Sequence, residues 1–492
     1  MNNKKSQRVK LLGIRICQVL ALIMCFSLFI SSGVQASITQ TGDSSWNYDK
    51  VREEWAYAVG LQAYTWGYPL VSDYNRFDKA SKCKEMTVIN DTMPSAPINR
   101  VCFLTHHVLP EEKAIIAPNV DTLYGPGWLD LRQEPIVLRI PDMGDRYWIV
   151  EMCDFYTDVF ASPGTRRGSK AGLYLVAGPN WKGNAPAEIV EIINAPTNRV
   201  VINVRVLMKS GLSDRPKVLP LINQIILAPL SQMSKMPKVV EYDKVRIVWV
   251  RYETPKWVPE DNTYWDILKK AIDTTEIRPY EEVLVATFKK VLLDASNDQA
   301  IQRGLDRALE NGKNMVKEAS KWNNLGSQYK YGWTLVKTGG RFGIDYLTRM
   351  AAAESCIGLN LLEDAAYYNQ VYDSDSKLLN GSSRYTIHFD KGNLPPIDPR
   401  AFWSVTAYDD QYFLEKNKIN RYNIGTVTKG LVYNSDGSLD IYLQHDKPEG
   451  KKSNWLPVPK GNFEIILRIY MPGPSITNEY DTYNPPPVVK VR

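Results

Sequence analysis

Arg199-Val200-Val201-Ile202-Asn203-Val204-Arg205-Val206-Leu207-Met208 is the stretch whose reading sets the fold class. Its β-branched residues recur with a period of two, the repeat of a strand whose successive side chains point to opposite faces. Working outward, the same period predicts strands at 135–141, 146–153, 172–177 and 245–252, punctuated by Gly, Pro, Asn and Asp as in a sandwich or barrel. Upstream, Trp55, Val59, Ala63, Trp66 and Leu70 recur at spacings of three and four. That spacing predicts an amphipathic helix over 48–79, broken near Gly67 and Pro69. Residues 262–373 return to the helical period, with helices expected at 280–293, 300–319 and 343–372, and they read as a helical connector. After Gly381 strands resume at 384–389, 401–408, 430–433, 439–444 and 463–471. Asn434-Ser435-Asp436-Gly437 predicts a hairpin there, because Asp-Gly readily takes the positive φ of a tight turn. The chain is therefore expected to hold two β-rich domains, at 37–255 and 381–472, joined by helices at 256–380 and followed by a Pro-rich tail.

The first segment carries Lys4, Lys5, Arg8, Lys10 and Arg15, then an apolar run from Ile16 to Ile30, then Val34-Gln35-Ala36. That order is the pattern of a secretory signal peptide, with cleavage expected after Ala36 and a periplasmic or secreted location. Whole-chain charge is +6, from 60 basic and 54 acidic residues, and the first 36 residues hold five of the basic ones and none of the acidic ones. The mature chain is thus near neutral, which gives no case for nucleic acid as a partner. No later segment is apolar for long enough to span a bilayer, so a soluble mature chain without a transmembrane segment is expected.

Four cysteines follow residue 36: Cys83, Cys102, Cys153 and Cys356. They allow three complete disulfide pairings in an oxidising compartment, or four buried thiols, and both readings stay open. The chain lacks a Gly-x-Ser-x-Gly elbow, a His-Glu-x-x-His pair, a phosphate-binding Gly-Lys-Ser/Thr loop and a dinucleotide glycine motif. Histidine is confined to His106, His107, His388 and His445, so neither a metal nor a cofactor is expected.

Dense polar and aromatic clusters remain, in a chain with 28 Tyr and 13 Trp. The first is Asn119-Val120-Asp121-Thr122-Leu123-Tyr124 with Trp128 and Asp130. Asp121 there can serve as an acid, a base or a ligand, or can cap backbone amides. A second joins Arg146-Tyr147-Trp148 to Asp154-Phe155-Tyr156-Thr157-Asp158, where Arg and carboxylates can share a cleft or form a structural ion pair. The third comprises Phe402-Trp403-Ser404, Tyr408-Asp409, Arg421-Tyr422 and Asn454-Trp455-Leu456-Pro457. Its aromatic rings can stack on a sugar or lipid ring, or fill a sandwich core. Candidate ligand-binding residues are Asn119, Asp121, Tyr124, Trp128, Arg146, Trp403, Tyr408, Arg421, Tyr422, Asn454 and Trp455. Candidate catalytic ones are Asp121, Asp154 and Arg146.

Asn119-x-Asp121-Thr122-Leu123-Tyr124 with Trp128-Leu129-Asp130-Leu131, Pro141-Asp142 and Arg146-Tyr147 resembles the bacterial domain-of-unknown-function family number 1254. Residues 384–472, with Pro395-Pro396, Ala401-Phe402-Trp403-Ser404, Arg421-Tyr422, Asp436-Gly437-Ser438 and Asn454-Trp455-Leu456-Pro457, resemble its usual partner, number 1214. The resemblance spans roughly 70–210 and 380–472. It implies an often exported, mostly β protein with a helical connector, an N-terminal β-sandwich-like domain and a smaller, jelly-roll-like C-terminal β-sandwich. It implies no settled activity and supplies no catalytic residues. The resemblance carries one departure: related chains tend to have Gly near Ser376, in the turn after Asp373, and if that turn needs a positive φ this chain makes it differently.

Three functions are compatible with these residues. The leading one is binding of a glycan, lipid or other amphipathic small molecule in an aromatic-lined cleft. The second is a metal-independent hydrolase or lyase using Asp121 and Asp154 as acid and base. The third is an envelope structural or assembly module. Whether the chain is an enzyme, and whether it forms a homo-oligomer, stay open.

Overall fold

The computed structural model describes residues 46–491 apart from 114, 251–255, 322–323, 451 and 479. The expected signal segment and its cut after Ala36 lie outside the described residues. The chain divides into two units, Met1–Val51 and Arg52–Arg492. Of the first, only the start of a helix is described, and all that follows concerns the second.

Arg199–Leu207 is the middle strand of a five-stranded antiparallel sheet. Thr122–Asp130 and Arg100–Val101 lie to one side of it, Trp148–Cys153 and Val159–Ala161 to the other. One phase of each strand, including Val200, Ile202, Val204, Val206, Leu123, Leu129, Val150 and Met152, enters a common core. A second sheet, ordered Ile226–Pro229, Ile136–Ile140, Gly172–Ala177 and Ile189–Asn194, closes that core as a sandwich. Alternation turns the other phase, with Tyr124, Glu151, Asn203 and Arg205, to the opposite face.

The C-terminal sandwich repeats the arrangement. Its six-stranded sheet runs Ser327–Gln328, Thr334–Leu335, Ala365–Gln370, Phe463–Tyr470, Trp403–Asp409 and Asn423–Gly425. Its four-stranded sheet runs Trp455–Pro457, Leu439–Gln444, Tyr385–Phe389 and Val488–Lys490. Trp403, Val405, Ile465, Leu467, Ile469 and Tyr368 fill the core between them. The segment read as a tail is thus partly sheet, since Val488–Lys490 pairs with Tyr385–Ile387. The Asp-Gly turn forms, with Gly437 at φ +84° and Asn434 N–H donating to the Ser438 carbonyl at 2.9 Å. Residues 430–433 stay unpaired, so it leads into a strand without closing a hairpin.

Two helical expectations differ from the structure. Residues 343–372 hold a helix only at Tyr346–Ser355; the chain then turns at Gly358 (φ +77°) and forms the strand Ala365–Gln370. The run Ala365-Ala366-Tyr367-Tyr368 suits either period, and pairing on both sides, to Thr334–Leu335 and Phe463–Tyr470, decides it. Tyr48–Ser81 is one helix that runs through Gly67 and Pro69. Burial of Trp66, Tyr68, Leu70 and Val71 against Thr263–Asp273, Glu282–Asp294 and Gln299–Ala319 outweighs the hydrogen bond that Pro69 deletes. Gly67 permits close approach: a Cβ there would lie 2.5 Å from Leu268 Cδ1. The connector helices and this long helix therefore share one core, and among the described residues no helix is long and apolar enough to cross a membrane.

Candidate functional site: a polar cleft between the two sheets

The outward face of the five-stranded sheet meets the outward face of the six-stranded sheet. Tyr147, Ile149 and Leu207 from the first pack with Ala365, Phe402 and Tyr470 from the second. Beside this apolar contact both faces turn polar. Tyr124, Arg205 and Ile149 lie in one cross-strand row, and Pro126, Asn203 and Glu151 in the next. Opposite them stand Tyr367, Ser404, Thr406, Tyr408 and Arg468, each in the phase that leaves its strand's other residues in the C-terminal core.

Asp121, at the entry to strand Thr122–Asp130, ties the faces together. Its carboxylate accepts from Ser404 Oγ at 2.6 Å and from Asn423 Nδ2 at 2.5 Å. Asn119 accepts the Asp121 amide at 2.5 Å and donates through Nδ2 to Thr122 Oγ1 and the Tyr470 hydroxyl, both at 2.7 Å. Tyr124 accepts the Asn119 amide at 2.9 Å, and Tyr408 donates to the Pro118 carbonyl at 2.8 Å. Arg468 donates to Thr406 Oγ1 and the Ala117 carbonyl and lies over the Tyr408 ring at 5.7 Å. Burial raises the Asp121 pKa, and the Ser404 bond, Arg468 and the Asn423 bond offset only part of that.

Deeper in the cleft, satisfaction is incomplete. Arg205 donates Nη2 to the Gly358 carbonyl at 3.0 Å, stands 3.8 Å from Glu151 Oε2 and lies 5.5 Å over the Tyr124 ring. Its Nε has no partner, nor have Glu151 Oε2, Asn203 Oδ1, Asn360 Nδ2 and Asn369 Oδ1. Burial pushes the Glu151 carboxyl up to about 7, with Arg205 pulling it down and Asp364 pushing it up. Burial works against the Arg205 charge, yet Tyr367, Glu151 and Tyr124 hold its pKa above the usual guanidinium value. Arg468 is held high in the same way by Tyr408, Tyr470, Tyr124 and Asp121. Two arginines held above the usual guanidinium value and one carboxyl raised by burial therefore lie among tyrosines where the two sheets face each other. Tyr124, Asn203 and Tyr367 are half-buried, so solvent reaches the edge of the cleft.

Of the residues expected from sequence, Asn119, Asp121, Tyr124 and Tyr408 gather here. Arg146 forms a buried two-pronged pair with Asp214 and donates to the Leu207 carbonyl. Asp154 pairs with Arg278 at 2.7 Å and accepts the amides of Tyr156 and Asp158 in a separate network. Trp128 sits edge-on to Phe77 and Phe155. Trp403 points into the C-terminal core against Phe389, while its neighbour Ser404 faces Asp121. Arg421 donates to the carbonyls of Ser453 and Trp455, Asn454 bonds the backbone of Val432 and Asp440, and Trp455 Nε1 donates to the Gln444 carbonyl. Tyr422 packs beside Val120, Tyr408 and Ile466 and donates to Asn420 Oδ1. All four cysteines are free thiols, and burial pushes Cys102 and Cys356 up to about 12.

Glu151, Arg205 and Arg468 were not among the sequence candidates. Their signal is a lone charge flanked by apolar residues in a strand: Val150-Glu151-Met152, Val204-Arg205-Val206 and Leu467-Arg468-Ile469. Such a charge marks a second face that is covered yet polar.

Residues 98–229 match the family model described as a protein of unknown function, DUF1254, and residues 364–474 match that of DUF1214, also of unknown function. The second match begins at the strand Ala365–Gln370, ahead of the boundary expected from sequence. Among solved structures, the VPA0106 protein from Vibrio parahaemolyticus is similar at a TM-score of 0.62 and 23% identity, over 89% of this chain and 100% of that one, and shares the fold. A putative uncharacterized protein from Burkholderia cenocepacia aligns at a TM-score of 0.42 and 12% identity, over 90% of this chain and 94% of that one. No curated protein matches. The chain thus resembles, in order along its sequence, the DUF1254 family and the DUF1214 family.

Proposed function

We propose that the protein binds a small hydroxylated organic acid, such as an acidic sugar unit, in the cleft between its two sheets. The observation that carries this reading is the set of buried polar atoms without partners on the facing walls: Arg205 Nε, Glu151 Oε2, Asn203 Oδ1, Asn360 Nδ2 and Asn369 Oδ1. Buried polar atoms are mostly satisfied in native proteins, and these five, carried by segments of the two facing sandwiches, support a place for other polar atoms. Arg205 and Arg468 supply the charge for an acid group, Tyr124, Tyr367 and Tyr408 supply flat faces, and the asparagines suit hydroxyls. The reading from sequence is narrowed here to an acid, and of its candidate residues the proposed site keeps Asn119, Asp121, Tyr124 and Tyr408 and leaves out Trp128, Arg146, Trp403, Arg421, Tyr422, Asn454 and Trp455. The basic, apolar and small-residue order of the first 36 residues supports export to the periplasm or beyond.

The test is thermal unfolding with D-glucuronate, D-galacturonate and L-tartrate beside the neutral sugars glucose and galactose. The acids are expected to raise the midpoint in a concentration-dependent way, and Arg205→Ala to abolish the rise. Equal shifts with neutral sugars, or none with any acid, would overturn the reading. Export is checked by mass spectrometry of the mature protein, expected to begin at Ser37.

A further inference from the structure

We propose that the cleft is catalytic, with Glu151 as the base that takes the proton from the carbon next to the acid group of a hydroxy acid held on Arg205. The proposal rests on the binding reading above and adds a reaction to it.

The geometry separates Glu151 from the other carboxylates nearby. Both oxygens of Asp121 are occupied, one by Ser404 and one by Asn423. Asp364 Oδ1 is engaged by Arg166, and although its Oδ2 has no hydrogen-bond partner, its charge is paired with Arg166 and not with Arg205. Glu151 lies with Oε1 beside Gly358 and Cys153 and with Oε2 turned to Arg205 without a hydrogen bond. Gly358 passes so close that a Cβ there would lie 2.7 Å from Oε1, and Cys153 Sγ is 3.9 Å from the same atom. Oε2 has no hydrogen-bond partner, and its nearest cation, Arg205, stands 3.8 Å away, beyond hydrogen-bonding distance. A base with an oxygen turned, without a hydrogen bond, to a guanidinium that keeps its charge is the arrangement that carbon deprotonation beside a carboxylate requires.

In the step, the carbon–hydrogen bond breaks and its proton forms a bond to Glu151 Oε2. The electron pair left on carbon spreads into the acid group, whose added negative charge lies against Arg205. Return of a proton from Glu151 restores the acid. Alternatively, a hydroxyl leaves from the next carbon, takes the proton from Glu151 and departs as water, leaving a carbon–carbon double bond. Neither course consumes an oxidant or reductant. A carboxyl raised by burial can both accept and release the proton, which agrees with the role that its place beside Arg205 gives it.

The experiment uses the full mature chain in D2O with D-glucuronate and D-galacturonate, following by proton NMR the signal of the hydrogen on the carbon that bears the carboxylate. The wild type is expected to exchange or consume that hydrogen, with a rate that rises as pH passes through about 7. Glu151→Gln is expected to slow it at least about 100-fold, in line with loss of a positioned base, while unfolding cooperatively at a midpoint no lower than the wild type's. A thermal shift without any loss of the hydrogen in the wild type overturns the base and leaves the binding reading standing. Undiminished loss in Glu151→Gln assigns the proton transfer to another group and also overturns it. Neither shift nor exchange overturns both. A cooperative unfolding midpoint in Glu151→Gln no lower than the wild type's separates lost chemistry from lost folding, and Glu151→Asp, which shortens the reach, is expected to fall between the two.

Discussion

Glu151 makes the cleft measurable without any ligand. Its carboxyl is raised from 4.5 to about 7 in the folded chain. A raised carboxyl contributes stability that is full below about pH 4.5 and is lost as pH climbs through about 7. A shift of this size corresponds to about 3 kcal/mol. Glu151→Gln, neutral throughout, is therefore expected to gain stability relative to wild type across that window, read as the difference in urea midpoints at pH 4.5, 6 and 8. Asp121→Asn breaks a different feature: an amide cannot accept from Ser404 and Asn423 as the carboxylate does, so a loss of about 1–3 kcal/mol is expected by chemical denaturation. Ser376 sits at φ +58°, so the positive φ considered from sequence is taken here by a serine. The turn is held by Asp373 Oδ1, which accepts the amides of Asp375 and Lys377. Ser376→Gly is expected to raise stability by about 1 kcal/mol, because only the left-handed strain is removed; an unchanged or lower midpoint would show that those amide bonds already absorb the strain. Asp121 stood out in sequence because it lies in a run of polar neighbours. Glu151, Arg205 and Arg468 were less visible because each is a single polar residue inside an apolar strand, and its meaning depends on a second sheet that no local pattern announces.

Several strands of both sandwiches were legible where β-branched residues alternate, and Gly172–Ala177 falls where the period places it, whereas Thr122–Asp130, Ile189–Asn194 and Ile226–Pro229 were not expected as strands. Legibility failed where two periods fit one run. Ala365–Gln370 reads as helix in isolation and becomes a strand because Phe463–Tyr470, nearly a hundred residues on, pairs with it. Gly67 illustrates the converse, a residue that signals a break locally and in the fold makes room for a neighbouring helix. Gly304 does the same where Gln299–Ala319 crosses Tyr48–Ser81: a Cβ there would lie 2.4 Å from the Glu53 carbonyl oxygen and 2.7 Å from Ala56 Cβ. Backbone gives way less readily than a flexible side chain. Gly304→Ala is accordingly expected to cost about 1–3 kcal/mol despite the better helix propensity of Ala, measured by thermal and urea unfolding.

At the scale of the molecule, the two sandwiches are joined through a shared polar network as well as apolar contacts, with Asp121 bonded to Ser404 and Asn423, and Arg468 bonded to the Ala117 carbonyl. Breaking such bonds on one side strands buried polar groups on the other, so the sandwiches are expected to unfold together. Calorimetry of the mature chain should give one transition; two resolved transitions would show that the network contributes little. The same wall-to-wall construction bears on inheritance. Each sandwich supplies one lip of the cleft, Glu151 and Arg205 from one and Tyr367 and Arg468 from the other, so neither half encoded by itself holds a complete site. A gene cut between the two regions would have to restore the missing lip from a second polypeptide. Separately expressed halves, mixed and assayed for recovery of the proposed uronate binding, would test whether the site needs both lips.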